Sequence, residues 1–300
     1  MKLRDIIYVN EGARTPAESL EKGVAAIRTN TSVVLISKER ALQAFANKEA
    51  KMGKPSFLAP GEDPTSTSNQ EEFYYWRTAI ETDLSKRAVV GAVSFDAERQ
   101  DLFQVGVSAG VSKFGPLAYQ IAMNAISPKW SSIPAWLKSD TSLRPDSLKV
   151  WQTMYTLSEQ GIYERKWLGD WSWSYIPQCV DTWGSTMVDD HKTYAYLYEW
   201  VKIAHQKKQT TEADFLDYLK TNPRKGGVGA FEYDKTTDPS MFGNFWAYRK
   251  TSQDPKVDDM FELGNQLAAE VKEKYHVPED LVKTIFRGAG MKFFSRRYHS

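Results

Sequence analysis

AVVGAVSFDAERQDLFQVGVSAGVSKFGPLAYQIAMNAI, residues 88 to 126, is the stretch on which the fold turns. Ala88 to Phe95 is β-branched and apolar, and reads as a strand. Asp96 to Gln100 is a polar turn, and Asp101 to Val111 is the return strand, with Phe103, Val105 and Val107 on one face. Gly106 and Gly110 stand at positions of close backbone approach. Ser112-Lys113-Phe114-Gly115 makes a tight turn, in which Gly115 permits an unusual backbone angle, and Pro116 to Ile126 is a helix. A strand that ends in a glycine turn and feeds a helix presents backbone N–H groups and the positive end of the helix dipole, which suits an anion such as a phosphate. Lys113 adds a charge beside those amides, whereas Pro116 removes one donor.

Outward from this segment, Thr15-Pro16-Ala17-Glu18 has the form of an N-cap followed by Pro at the first helical position, and predicts a helix to about Arg28. Residues 3–9 read as a first strand or helix start. Ser32 to Ile36 is a strand, and Ser37-Lys38-Glu39-Arg40 opens a helix to about Met52. A Pro- and Gly-bearing loop over 53–70 precedes a helix from Gln70 to about Ser85. Beyond Ser127 the pattern turns mostly helical and rich in Trp. Helices are expected from Arg144 through Leu157, over His191 to Lys208, from the capping box Thr211-Glu212-Ala213-Asp214, over Val257 to Tyr275, and from Pro278 to about Phe294. The chain divides into an α/β core over 1–130 and a helical, aromatic extension over 131–300.

Composition narrows the function classes. A net charge of +1 gives no global drive toward nucleic acid or membrane. A single cysteine, Cys179, excludes an intrachain disulfide and suits a reducing compartment. No apolar run approaches the roughly 20 residues of a membrane span, and the N-terminus lacks a signal-peptide pattern. The four histidines, His191, His205, His276 and His299, show no metal-binding spacing, so no metal site is expected. Pro223 to Gly229 lacks the order of a phosphate loop and reads as a flexible basic loop. Aromatics are 13% of the chain, with ten Trp; large rings of this number either pack a core or present a contact surface. From Lys283 to Arg297 five cations stand with no acid, a segment able to meet nucleic acid or another protein.

The order strand, helix, strand, helix, helix, β-hairpin, glycine turn, helix resembles the GNAT N-acetyltransferase fold. In that family the turn after the fourth strand follows R/Q-x-x-G-x-G/A, and its amides hold the pyrophosphate of acetyl-CoA. Here Ser112 takes the Arg/Gln place, Gly115 the first Gly and Leu117 the second small residue. A narrower resemblance is to tailed-phage proteins with a GNAT-like core, carried by Phe114-Gly115-Pro116-Leu117-Ala118-Tyr119-Gln120-Ile121-Ala122-Met123, then Ser139-Asp140, then Arg144-Pro145-Asp146-Ser147-Leu148-Lys149-Val150-Trp151.

The resemblance implies an α/β (α+β) fold with a mixed sheet and flanking helices. It implies two functional readings. One is a non-catalytic phage protein acting through contacts with other phage or host proteins, as a virion component or a host-directed effector, in the host cytoplasm or virion. The other is an acyl-CoA-dependent N-acetyltransferase with Ser112, Lys113, Phe114, Gly115 and Leu117 around acetyl-CoA. Such an enzyme needs a base for the amine and an acid for the thiolate, for which Tyr119 and Asp140 are the candidates.

Overall fold

The computed structural model describes residues 15–53, 70–99, 101–111, 113–126, 135–139, 145–168, 211–221, 224–228, 231–236, 245–251 and 254–298. The expected element over 3–9 and the helix over His191 to Lys208 lie outside these residues. Thr15 caps α1 (Pro16–Glu21) through a reciprocal box with Glu18, with Pro16 at the start as the sequence predicts. The helix stops at Glu21 rather than continuing to Arg28. Gly23, at φ 64°, turns the chain into β1 (Val24–Arg28). Val24-Ala25-Ala26-Ile27 is apolar throughout, so periodicity does not distinguish helix from buried strand.

β1 pairs antiparallel with β2 (Ser32–Ser37), and β2 with β3 (Val89–Arg99), with a bulge between Leu35 and Ile36. Between them come α2 (Lys38–Met52) and α3 (Gln70–Arg87). β3 neighbours β4 (Leu102–Gly110), and α4 (Phe114–Ile126) follows. The second half supplies β5 (Trp136–Lys138), α5 (Pro145–Glu159), β6 (Tyr163–Trp167), α6 (Glu212–Thr221), β7 (Arg224–Val228), β8 (Phe231–Thr236), β9 (Trp246–Lys250), α7 (Pro255–Tyr275) and α8 (Glu279–Tyr298). The result is a mixed α/β fold with a seven-stranded sheet of order β1-β2-β3-β4-β5-β9-β6, and a separate β7–β8 hairpin.

Two findings correct the sequence reading. The second half, although most of its described residues are helical, also supplies strands that the sequence reading did not place: β5, β6 and β9 join the main sheet, and β7 and β8 pair with each other. These strands are short and aromatic, and their alternation (Tyr163, Arg165, Trp167; Trp246, Tyr248, Lys250) is a period-2 signal lost among neighbouring rings. The expected basic loop at Arg224 to Val228 is a strand, bulged between Lys225 and Gly227.

The chain forms two compact units, interleaved in sequence where the sequence reading divided it once near 130: residues 1–96, 105–132 and 253–300, and residues 97–104 and 133–252. In the first, sheet positions Ala25, Ile27, Val34 and Ala92 share a buried cluster with helical residues such as Phe45, Trp76, Leu267 and Phe286. Phe45 stacks on Tyr275, with ring centroids at 5.5 Å, and meets Phe286 edge-on at 6.3 Å. Because side chains alternate along a strand, Leu35 and Gly91 turn to the opposite face, where Phe114 of α4 lies. In the second unit, Trp151 packs on Tyr248, Tyr155 on Trp246 and Trp167 on Phe215. Trp151, Phe215, Trp246 and Tyr248 are fully buried, so these rings serve as core. Arg165 lies over the Tyr155 ring at 4.3 Å and is paired with Glu159 and, at 2.8 Å, with Glu212. Burial works against its charge, but these two carboxylates hold its pKa up.

Candidate functional site

The turn from β4 into α4 is built on backbone contacts. The Val111 N–H donates to the Val90 carbonyl at 2.8 Å, tying the end of β4 to β3, and the Phe114 N–H donates back to the Val111 carbonyl at 3.0 Å. The left-handed residue of the turn is Lys113, at φ 76°, not Gly115. That departs from the sequence expectation, and the space around the two glycines shows where glycine is needed instead. A methyl group on Gly115 would meet nothing within 4 Å, whereas one on Gly110 would fall 2.3 Å from the Gly115 nitrogen. Gly110 is thus the position that needs glycine, because the first turn of α4 rests directly on it.

This geometry sets what the turn offers to an anion. The Phe114 amide is already bonded, the Gly115 amide lies against the Gly110 backbone, and Pro116 has no N–H. Phe114 is buried and its carbonyl faces Gly91, while Leu117 is fully buried. Lys113 is exposed. Ser112 lies outside the described residues. Lys113, Phe114, Gly115 and Leu117 are therefore brought together in one turn, but its Phe114 amide is already bonded to Val111 and Pro116 offers none.

Tyr119 lies two turns into the same helix. Its phenol is 3% exposed, with its oxygen 2.5 Å from the Ser108 hydroxyl on β4. Asp140 lies outside the described residues; Ser139, immediately before it, is buried, and its hydroxyl has no hydrogen-bond partner among the described residues. The sequence reading passed over three further polar groups beside the hairpin. The Ser94 hydroxyl accepts the Val107 N–H at 3.0 Å, and the Ser94 hydroxyl and Asp96 carboxylate lie 3.3 and 3.4 Å from where a Gly106 side chain would begin. Ser108 completes the group. Serines among the Val, Ala and Gly of residues 89–94 and 105–110 are the signal that could have marked two of them.

β4 and β5 pair in parallel through Leu102↔Trp136, Phe103↔Leu137 and Gln104↔Lys138. Among the described residues no cluster of His, Cys, Asp and Glu suits a metal ion, and no helix is long and apolar enough to cross a membrane. Compared with family models, characterised proteins and solved structures, the chain matches none.

Proposed function

We propose that this chain is a GNAT-like protein of the tailed-phage type that does not catalyse acetyl transfer and acts through protein contacts, as a virion component or a host-directed effector in the host cytoplasm. The observation that carries this reading is the small number of amides left to an anion at the entry to α4. An acetyl-CoA pyrophosphate is held by several backbone N–H groups pointing outward at a helix start. Here the Phe114 amide is bonded to Val111, the Gly115 amide packs on Gly110, and Pro116 lacks one. The exposed Tyr74 and Tyr75 rings support a role in contacts, since aromatic side chains are enriched at protein interfaces.

The alternative, an acyl-CoA-dependent N-acetyltransferase, draws support from the Tyr119–Ser108 hydroxyl pair beside the turn. A titration with acetyl-CoA separates the two. A ligand present at a hundred times its Kd stabilises the native state by about 2.7 kcal/mol, a shift visible in thermal unfolding. We expect no shift in Tm at millimolar acetyl-CoA and no heat of binding. A saturable shift that disappears in Lys113→Glu would overturn the non-catalytic reading and restore the transferase.

A further inference from the structure

Among the described residues four large hydrophobic side chains stand exposed, Tyr74, Tyr75, Ile162 and Met291, and three of them lie on α3 and α8. These helices belong to one layer. Each buries a face in the same cluster, α3 through Trp76, Ile80 and Leu84, and α8 through Val282, Ile285 and Phe286. They are clamped side by side. The buried Glu81 carboxylate is held by Arg77 at 2.6 Å and Lys292 at 3.5 Å, and Arg296 donates to the Ser85 carbonyl at 3.2 Å. The exposed residues of the two helices include two patches of opposite charge.

The first patch is the opening turn of α3. Glu71 and Glu72 stand beside Tyr74 and Tyr75, whose rings meet edge-on at 5.9 Å and are 64% and 60% exposed. From Gln70 to Trp76 the only charged residues are the two acids. The second is a stripe along α8, where Lys283, Arg287 and Met291, spaced four apart, are all exposed. From Leu281 to Ser300 there is no acid. Lys283 is held by Glu279 in an exposed pair at 3.3 Å, which is weak enough to exchange for another carboxylate. Open tyrosine faces attract Lys and Arg, so the acidic, aromatic turn of α3 suits the cations of the α8 stripe.

We propose that a second copy of this chain docks on this layer, the acidic, aromatic turn of α3 in each copy meeting the Lys283–Arg287–Met291 stripe of α8 in the other. A two-fold contact makes the complementarity reciprocal, so two such pairings form at once. Tyr, Met and Arg, the residues enriched at protein interfaces, supply the surface. The inference deepens the protein-contact reading by naming a partner, and it is decided independently of the acetyl-CoA titration.

Sedimentation velocity on the full chain tests it, from about 1 to 200 μM, at low and at high salt; the attraction is screened as the Debye length falls from about 10 Å at 0.1 M to 3 Å at 1 M. The expected result is a concentration-dependent dimer whose Kd rises roughly tenfold or more in high salt. Glu71→Lys with Glu72→Lys, and separately Arg287→Glu, should each weaken dimerisation by about tenfold with Tm and far-UV circular dichroism unchanged. Combining the reversals in one chain should restore it. A monomer at every concentration in low salt overturns the proposal, and so does a dimer indifferent to both reversals.

Discussion

Replacing Gly264 with alanine puts the packing of α7 on β1 to a quantitative test. The new Cβ would lie 2.1 Å from the Ala26 carbonyl oxygen, against the 3.4 Å at which ordinary contact begins, so helix and strand must part by roughly 1.3 Å. Neither side yields easily. Ala26 is a backbone position inside the β1–β2 ladder, opposite the fully buried Leu35. α7 is fixed by Met260, Leu267 and Val271, all fully buried. Alanine in place of glycine favours the helix by about 1 kcal/mol. Against that, overpacking costs about 3 kcal/mol at the upper end of its usual range, which applies because the obstacle is backbone. Backing the helix away is no escape, since a gap of 0.5–1 Å already forfeits a quarter to a half of each dispersion contact. The net expectation is a loss of about 2 kcal/mol, read as a lower urea midpoint at unchanged slope. Gly115→Ala is the control. It also lies in a helix, but its Cβ meets nothing within 4 Å, so it should be neutral or stabilising by up to about 0.5 kcal/mol. If Gly264→Ala unfolds at or above the parent's urea midpoint, the close approach of α7 to β1 is wrong.

Lys113→Gly should stabilise the chain by about 1 kcal/mol, because a left-handed conformation at φ 76° is strained for lysine and free for glycine; equal or lower stability in urea would argue against that turn. Tyr248→Phe removes a buried hydroxyl that has no partner in the structure, so it should change stability by less than about 1 kcal/mol in either direction; a larger loss would reveal a bond to that hydroxyl. Burial pushes the Tyr163 and Tyr248 phenols well above the ordinary tyrosine value. A raised folded-state pKa means stability that is complete below the unfolded pKa of about 10 and is lost as pH rises toward the folded one. Denaturation midpoints should therefore fall above about pH 10, and fall less steeply in Tyr248→Phe; an equally steep fall in the variant would refute burial as the cause.

Much of the first half was legible because its signals are local. The Thr15–Glu18 capping box, the β-branched run at Ser32 and the turn at Ser112–Gly115 each depend on a few neighbouring residues. The helix over 70–87 and the hairpin with its following helix came out within a few residues of expectation. β1 was missed because Val24 to Ile27 suits a helix or a buried strand equally; Gly23 was the clue that the helix had ended. β5, β6 and β9 were missed because three to five residues hold too little periodicity, and their pairing is settled by distant partners such as Leu137↔Tyr248. At the candidate site, the close approach at Gly110 was readable from a glycine at the end of a strand. The strained residue was not. Lys113 occupies a conformation normally left to glycine, and nothing in its side chain announces that. The bonding of the Phe114 amide to Val111 also depends on how the turn closes, which propensity alone does not weigh.

The interleaving of the two units bears on how the chain is born. The face of the sheet that carries Ala25, Ile27, Val34 and Ala92 is covered by helices that include α7 and α8, encoded in the last fifth of the sequence. During synthesis β1, β2 and β3 emerge long before those helices. The nascent chain therefore carries an apolar sheet face that only α2 and α3 can help to cover while more than 150 further residues are made. Contacts spanning such separations close slowly, and exposed strands invite wrong pairings in the interval. Emergence of residues 255–298, rather than folding of what precedes them, is the event that completes the first unit, and a chain that ends before Gln253 has a sheet with nothing from α7 or α8 to cover it.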